Sequence, residues 1–323
     1  MLPLASPVYQ ILLENDCRCF NVSSIRDGKV ILVIGSKNSV TCGILEAEEE
    51  LESSLRFKFN ILKSMNHPVP VNLIAISSAT SLTELPRKIV FATVGTDKII
   101  RIFQTGPTNE ETGVVSDLKG HTDCINSISF DKMYGQYLAS VSDDHTCRLW
   151  STETGSCLSI YNLTSPGVAV CWHPEELVKF LVAQKNGKIR FYCCTSHKVL
   201  QTVDASDIAP VLSVDWDLKK KSRIVVGASS NAYEFDLQQS SRSLCNEKLH
   251  AENVAKIVLG SVGNFLASLG FPGPTVKVVK KDLSMETPAD VMVGRSLQSH
   301  PTLPYVIIGS TRKLLFWKIP IEA

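Results

Sequence analysis

Ser140, Asp144 and His121 supply the three residue types of a nucleophile, an orienting carboxylate and a base, within one short stretch of chain. On an acyl-transfer site they would activate a serine hydroxyl for attack. The surrounding residues suggest another use of the same atoms. Gly120 precedes His121, and Trp150 follows Asp144 by six residues. The Trp150 indole N–H can donate to Ser140, Ser140 can bond His121, and His121 can bond Asp144. The result is a buried polar chain, and an Asp at a tight turn also accepts from nearby backbone N–H groups. This spacing favours a structural network over a hydrolase triad, which is defined by geometry. No other catalytic signature stands beside it. There is no Gly-x-Ser-x-Gly elbow, and Gly28-Lys29-Val30 and Gly187-Lys188-Ile189 lack both the Ser/Thr and the glycine spacing of a phosphate loop. Histidines at 67, 121, 145, 173, 197, 250 and 300 include no i, i+4 pair on a helix, and no Cys-x-x-Cys occurs. Neither a catalytic residue nor a metal or other cofactor is therefore assigned. His173, before Pro174, reads as a loop residue capping a strand end.

The elements that must hold these residues repeat. Six segments run from a polar turn into an alternating strand that ends on a large apolar residue, at Phe103, Trp150, Tyr192, Phe235, Val279 and Trp317. Successive spacings are 47, 42, 43, 44 and 38 residues, against about 40–45 for a propeller blade of the WD type. A degenerate unit fits in front, over Val30–Gly35 and Ser39–Leu45. Within the clearest unit, Ile125–Phe130, Tyr137–Ser142, Thr146–Trp150 and Cys157–Tyr161 each alternate with period two and are punctuated by Gly, Asp and Asn, which is the strand signal. No helical periodicity competes, and the acidic run Glu46–Glu52 reads as a solvated loop. Gly120-His121, Asp144 and Trp150 match the Gly-His…Trp-Asp signature of WD repeats, with Ser151 in place of the final Asp. His121, Ser140, Asp144 and Trp150 form the expected structural tetrad, and Thr93, Asp97 and Phe103 stand at the same offsets one unit earlier. The other units carry Asn186, Ser229, Gly273 and Thr311 where the Asp would be. The last unit stops after its third strand, while Val8–Leu13 is a spare strand near the N-terminus. The expectation is all-β: a single seven-bladed WD40 β-propeller over residues 1–323, its N-terminal strand completing the last blade and closing the ring.

Composition sets the limits. The 323 residues are 44% apolar and 20% charged, a globular balance with a formal net charge of +1. Neither a basic excess nor a basic stripe marks a nucleic-acid partner. The longest apolar runs, such as Val30–Ile34, fall far short of a membrane span, and Met1-Leu2-Pro3-Leu4 opens no signal peptide. The 10 Cys then read as reduced thiols packed as small hydrophobes.

The blocks Gly120-His121-Thr122-Asp123, Ala139 to Trp150, Ser165-Pro166-Gly167, Cys171-Trp172-His173-Pro174-Glu175-Glu176 and Lys185 to Tyr192 are more specific than a generic WD repeat. They resemble the nucleoporin-thirty-seven family, the small WD-repeat members of the Y-shaped scaffold complex of the nuclear pore. The resemblance implies a non-enzymatic outer-ring component that docks on a large α-solenoid nucleoporin and supports transport. Other implied partners are further Y-complex members, with no direct nucleic acid, membrane insertion or small-molecule substrate. The implied location is the nuclear envelope, with an association at mitotic kinetochores. Blade loops at the strand d–a and b–c connections would form the contact rim, which places Thr122, Asp123, Asp143, Lys185 and Glu252 as candidate partner-binding residues. Lys219-Lys220-Lys221 reads as a solvated loop tip or a contact to an acidic partner, and Thr80–Pro86 lengthens a hairpin. The rival readings are a substrate receptor of a cullin-type ubiquitin ligase and a peptide- or histone-binding adaptor. No blade end carries the Arg that often follows the terminal Trp-Asp of such receptors, and at 7% aromatics are too few for a reader's lined cavity.

Overall fold

The computed structural model describes residues 7–25, 28–49, 55–83, 88–106, 112–208, 210–238, 243, 245–262, 265–271, 275–280, 286–289 and 296–319. These form seven antiparallel sheets of four strands. Each sheet is a blade, with strands a to d running from the axis outward. Blade 1 is Cys19–Ser24, Val30–Gly35, Ser39–Glu49 and Leu55–Asn66; blade 2 is Val71–Ile76, Ile89–Gly95, Ile100–Thr105 and Thr112–Leu118. Blade 3 is Ile125–Phe130, Tyr137–Ser142, Thr146–Ser151 and Cys157–Asn162; blade 4 is Gly167–Trp172, Lys179–Gln184, Lys188–Cys193 and Val199–Asp204. Blade 5 is Val211–Trp216, Arg223–Ala228, Asn231–Asp236 and Cys245–Lys248; blade 6 is Asn253–Leu259, Phe265–Phe271, Val276–Lys280 and Glu286–Ala289. Blade 7 takes Ser296–Ser299, Tyr305–Gly309 and Lys313–Lys318 from the end of the chain, and its d strand is Tyr9–Leu12. That strand pairs antiparallel with the c strand, Tyr9 opposite Phe316 and Leu12 opposite Lys313. Each a strand contacts the next around the circle, and blade 7 returns to blade 1. Among the described residues no helix is long and apolar enough to cross a membrane.

Because every strand alternates, each sheet buries both faces against its neighbours, and the core divides into seven wedges, one per blade junction. The wedge between blades 7 and 1 is aromatic: Phe57 stacks on Phe316 at 4.3 Å between centroids and meets Tyr305 edge-on at 4.9 Å. Phe57 comes from the long outer hairpin of blade 1, which reaches over the closing strand, where Arg56 Nε donates to the Tyr9 hydroxyl at 3.4 Å. The N-terminal strand is thus clamped from both sides.

Glu46–Glu49, expected in a solvated loop, is strand. Glu46 lies opposite Lys58 and Glu48 opposite Arg56. Opposite charges across an antiparallel pair stabilise it, and an acidic run read without those later partners looks like a loop. Glu50–Glu52, Glu84–Pro86 and Gly273 lie outside the described residues; the first part of the long blade-2 hairpin is closed by reciprocal backbone bonds between Ser81 and Lys88 (2.7 and 2.9 Å). The nine cysteines whose side chains are described are free thiols, but Cys124 and Cys157 are exposed rather than packed: Cys124 lies in the d–a connection just before blade 3, and Cys157 opens that blade's outer strand.

The inner strands are sewn together by a device that sequence reading missed. Side chains on one a strand bond the backbone of the next. Asn21 Nδ2 donates to the Ile74 carbonyl (3.0 Å), Trp172 Nε1 to that of Ser129 (2.9 Å), and Leu259 N–H to Asp215 Oδ2 (2.7 Å). The a strands of blades 2 to 6 share a bulge at one position, after Val71, Ile125, Gly167, Val211 and Val254. It re-aims the strand start toward the axis.

Candidate functional site

Blade 3 assembles His121, Ser140, Asp144 and Trp150 into one hydrogen-bonded chain. His121 arrives on the d–a connection from blade 2, Ser140 on strand b, Asp144 at the b–c turn and Trp150 at the end of strand c. Gly120 lets the connection run close to the blade, where a Cβ would stand 2.5 Å from Arg148 Nη1 and 3.2 Å from the Trp150 ring. Trp150 Nε1 donates to Ser140 Oγ at 2.8 Å, and Ser140 Oγ lies 2.8 Å from His121 Nε2. His121 Nδ1 lies 2.7 Å from Asp144 Oδ2. The carboxylate can only accept, so Nδ1 carries the proton, Nε2 accepts, and the serine hydroxyl donates to it. Every proton in the chain has a partner. Asp144 also accepts from Thr122 N–H (3.1 Å), Thr146 N–H (2.9 Å) and the Thr146 hydroxyl (2.6 Å). Burial alone would raise its pKa, but the bonds from Thr146, His121 and Thr122 outweigh that and hold it at about 2. Burial lowers the pKa of His121 against the opposing pull of Asp144, which keeps the imidazole neutral.

The distances are those of a Ser–His–Asp triad, yet the chemistry is closed. Ser140 is 0% exposed and the His121 side chain 0%, and the indole N–H occupies a lone pair of the serine oxygen. The arrangement fastens the d–a connection to the blade.

The same joint recurs with different parts. In blade 2, Thr93 and Phe103 keep their positions, and the partner of Thr93 is His67, with Nε2 at 3.1 Å from the hydroxyl. Phe103 has no N–H to offer, and Asp97 turns to Arg101, whose Nη1 donates at 3.1 Å and whose Nη2 makes a second ion-paired contact. Burial works to raise the Asp97 pKa, and the Arg101 bonds bring it below its ordinary value. In blade 6, His250 bonds Ser268 (2.9 Å) from Nε2 and Thr275 (2.9 Å) from Nδ1. The partnerships of His67 and His250 went unseen in the sequence because neither follows a glycine, and in blade 6 Thr275 replaces the aspartate. Blade 7 keeps only the tryptophan: Val306 pairs with Trp317 as Leu138 pairs with Trp150, which puts Ile308 where Ser140 stands. The Trp317 indole N–H is buried and finds no partner among the described residues. In blade 4, Gln184 Oε1 accepts from Thr164 N–H and hydroxyl (2.8 and 2.9 Å).

The other candidates lie on the rim formed by the d–a and b–c connections. Thr122, Asp123 and Asp143 are exposed together on blade 3, Lys185 is exposed on the b–c turn of blade 4, and Glu252 stands apart between blades 5 and 6. Lys98 of blade 2 donates to the Thr122 carbonyl at 2.7 Å and lies 3.7 Å from Asp123, while Asp143 accepts from Asn126 at 2.8 Å. His173 Nδ1 accepts the N–H groups of Glu175 (3.1 Å) and Glu176 (2.9 Å), capping the a–b turn, as His300 does for Thr302 and Leu303. The lysine cluster is neither a bare loop tip nor a free cationic patch. Lys220 pairs with Asp236 at 2.8 Å and Lys221 with Glu175 on the neighbouring blade. Their carboxylates come from strand c of blade 5 and from the a–b turn of blade 4, which the local sequence does not show. Among the described residues no group of three or more His, Cys, Asp or Glu could hold a metal ion.

Comparison with known proteins agrees with this architecture. The family model "WD domain, G-beta repeat" matches residues 113–151, which run from the outer strand of blade 2 through the tetrad to the end of strand c in blade 3. Nucleoporin Nup37 of Homo sapiens is 35% identical over 303 residues, covering 92% of this chain and 92% of its own. Nucleoporin Nup37 of Mus musculus is 34% identical over the same shares, and that of Drosophila melanogaster 27% identical over 100% of both chains. An identity of 35% sustained across 92% of the chain reaches all seven blades, not only the one that carries the tetrad, and the chain belongs to the Nup37 family of nucleoporins, WD-repeat β-propellers.

Proposed function

We propose that this chain is a non-enzymatic structural component of the nuclear pore outer ring, at the nuclear envelope. In this reading it docks on a large α-solenoid nucleoporin of the Y complex, contacts further members of that complex, and supports nucleocytoplasmic transport. The observation that carries the reading is the near-full-length match to nucleoporins named Nup37. The geometry supports it from a second side, since the one Ser–His–Asp set among the described residues is sealed by its own blade. A closed ring fixes its loops before any partner arrives, so docking pays little ordering entropy. The rim residues Thr122, Asp123, Asp143, Lys185 and Glu252 are the proposed contact positions, and residues 1–323 are proposed to fold as one unit. A kinetochore association in mitosis extends the same reading to dividing cells.

The test is to express the tagged full chain in cells of its source, image it through the cell cycle, and identify co-purified proteins by mass spectrometry. A nuclear-rim signal with Y-complex nucleoporins is expected, and a kinetochore signal in mitosis for the extension. A diffuse signal with cullin adaptors or histones would overturn the scaffold reading in favour of a ligase receptor or a histone-tail adaptor.

A further inference from the structure

The a strands of all seven blades line a cavity of about 400 Å³ on the ring axis. It opens toward a second cavity of about 380 Å³, with Asn21, Asp215 and Gln298 in the walls of both. Lys256 projects into the first cavity just beyond the blade-6 bulge. It is half-buried, and among the described residues it makes no hydrogen bond or ion pair. Asp215, the only carboxylate in that wall among the described residues, is already committed: Oδ2 accepts Leu259 N–H at 2.7 Å and Oδ1 accepts Trp216 N–H at 2.9 Å. Arg18 is the second cation of the wall. Its Nε and Nη2 donate to the Val71 carbonyl and to Asn72, both at 3.3 Å, which leaves Nη1 for another acceptor.

Cys19 and Cys171 share the wall and add no negative charge. Burial dominates at both and pushes each thiol up to about 12. Lys256 and Arg18 line this one cavity together with Cys19, and both cations act on its thiol. Among the described residues two cations face one carboxylate that is already bonded to two backbone N–H groups, which leaves an excess of positive charge in the cavity wall. Burial lowers the pKa of Lys256, a cost that a bound anion would reverse.

We propose that this axial cavity binds a small phosphate-bearing anion between Lys256 and Arg18. A tetrahedral phosphate group offers several oxygens at once, which suits an ammonium with three free N–H donors and one free arm of a guanidinium. The Gln298 amide and the buried Ser296 hydroxyl are further donors in the same wall. The volume falls in the range of about 300–1,000 Å³ typical of small-molecule sites. It suits pyrophosphate or a sugar phosphate and excludes a folded partner. The site is independent of the scaffold reading.

The test titrates the full chain with pyrophosphate by calorimetry at constant ionic strength, with sodium chloride as the control. Saturable one-to-one binding is expected. Lys256→Met should weaken it at least tenfold, and Lys219→Met, on the exposed a–b turn, should leave it unchanged. No saturable heat, or equal affinity in Lys256→Met, would overturn the proposal. Should Lys256→Met not fold, amine acetylation of the wild-type chain read by mass spectrometry decides the question. Pyrophosphate is expected to protect Lys256 several-fold and not Lys219, and equal labelling of Lys256 with and without it would overturn the site.

Discussion

Replacing Ser140 by alanine is the sharpest perturbation of the blade-3 joint. The hydroxyl is fully buried, accepts from Trp150 Nε1 and donates to His121 Nε2, each at 2.8 Å. Alanine removes one small atom but strands two polar groups, an indole N–H and an imidazole nitrogen, where solvent cannot reach. Each stranded group costs about 1–3 kcal/mol, so Ser140→Ala should lose about 3 kcal/mol in all. For a chain of this length, an unfolding entropy near 2.1 cal/mol/K per residue turns that into a Tm drop of roughly 4 °C. Differential scanning calorimetry on wild type, Ser140→Ala, Trp150→Phe and the double variant measures it. Trp150→Phe removes the donor that Ser140→Ala strands, so the second change should cost at least about 1 kcal/mol less in the alanine background than in the wild type. A Tm within about 1 °C of wild type, or strictly additive losses, would refute the joint as described.

Trp150→Phe and Trp317→Phe should part company: the first breaks a made hydrogen bond, the second removes a buried N–H that has no acceptor among the described residues, so by melting temperature Trp317→Phe is expected to be less costly by about 1–2 kcal/mol. Equal losses would contradict the claim that Ile308 has left that indole unpartnered. Acid should destabilise the ring well above the carboxylate range, because burial holds His300 at about 4 and also lowers His67, His121 and His173. These folded-state values lie below the unfolded value near 6.5, so the unfolded chain takes up more protons as pH falls. The stabilisation is complete above about pH 6.5 and declines toward pH 4, with His300 alone, 2% exposed, contributing a loss of about 2 kcal/mol between pH 6.5 and 5. Urea unfolding at pH 7 and pH 5 checks this, and greater stability at pH 5 would refute it. Deleting residues 1–13 should lower the Tm by several degrees and promote self-association, since it uncovers the Lys313–Lys318 edge and the Phe57–Phe316 stack; a truncated chain that melts like the full one would show that the closing strand is dispensable.

The ring was legible because its largest packing residues are periodic. Phe103, Trp150, Tyr192 and Trp317 end their c strands at nearly even spacing, and a strand alternates visibly even where its polar signature has decayed. The blade-3 joint was legible for a related reason: all four of its side chains lie within one blade's length of chain, with Gly120 and the Asp144 turn as local landmarks. What stayed hidden has no local landmark to mark it, or depends on partners that meet only once the chain has folded. His67 finds Thr93, and His250 finds Ser268, but once the flanking glycine is gone a histidine in a d–a connection looks like any loop residue. Glu46 and Glu48 meet Lys58 and Arg56 only once the hairpin has folded back, and the cations of Lys220 and Lys221 are answered from a neighbouring strand and from the a–b turn of blade 4. The inter-blade bonds of Asn21, Asp215 and Trp172 span roughly one repeat, and these side chains differ in type from blade to blade, so no motif advertises them. In a propeller the apolar period specifies that blades form, whereas the polar contacts that lock one blade to the next are free to change chemistry as long as each buried donor finds an acceptor. Among the described residues the Trp317 indole N–H is one place where that condition has lapsed, and Lys256 is an inner-strand cation that makes no ion pair with them. A tightly closed ring can carry both because its stability is spread over seven wedges.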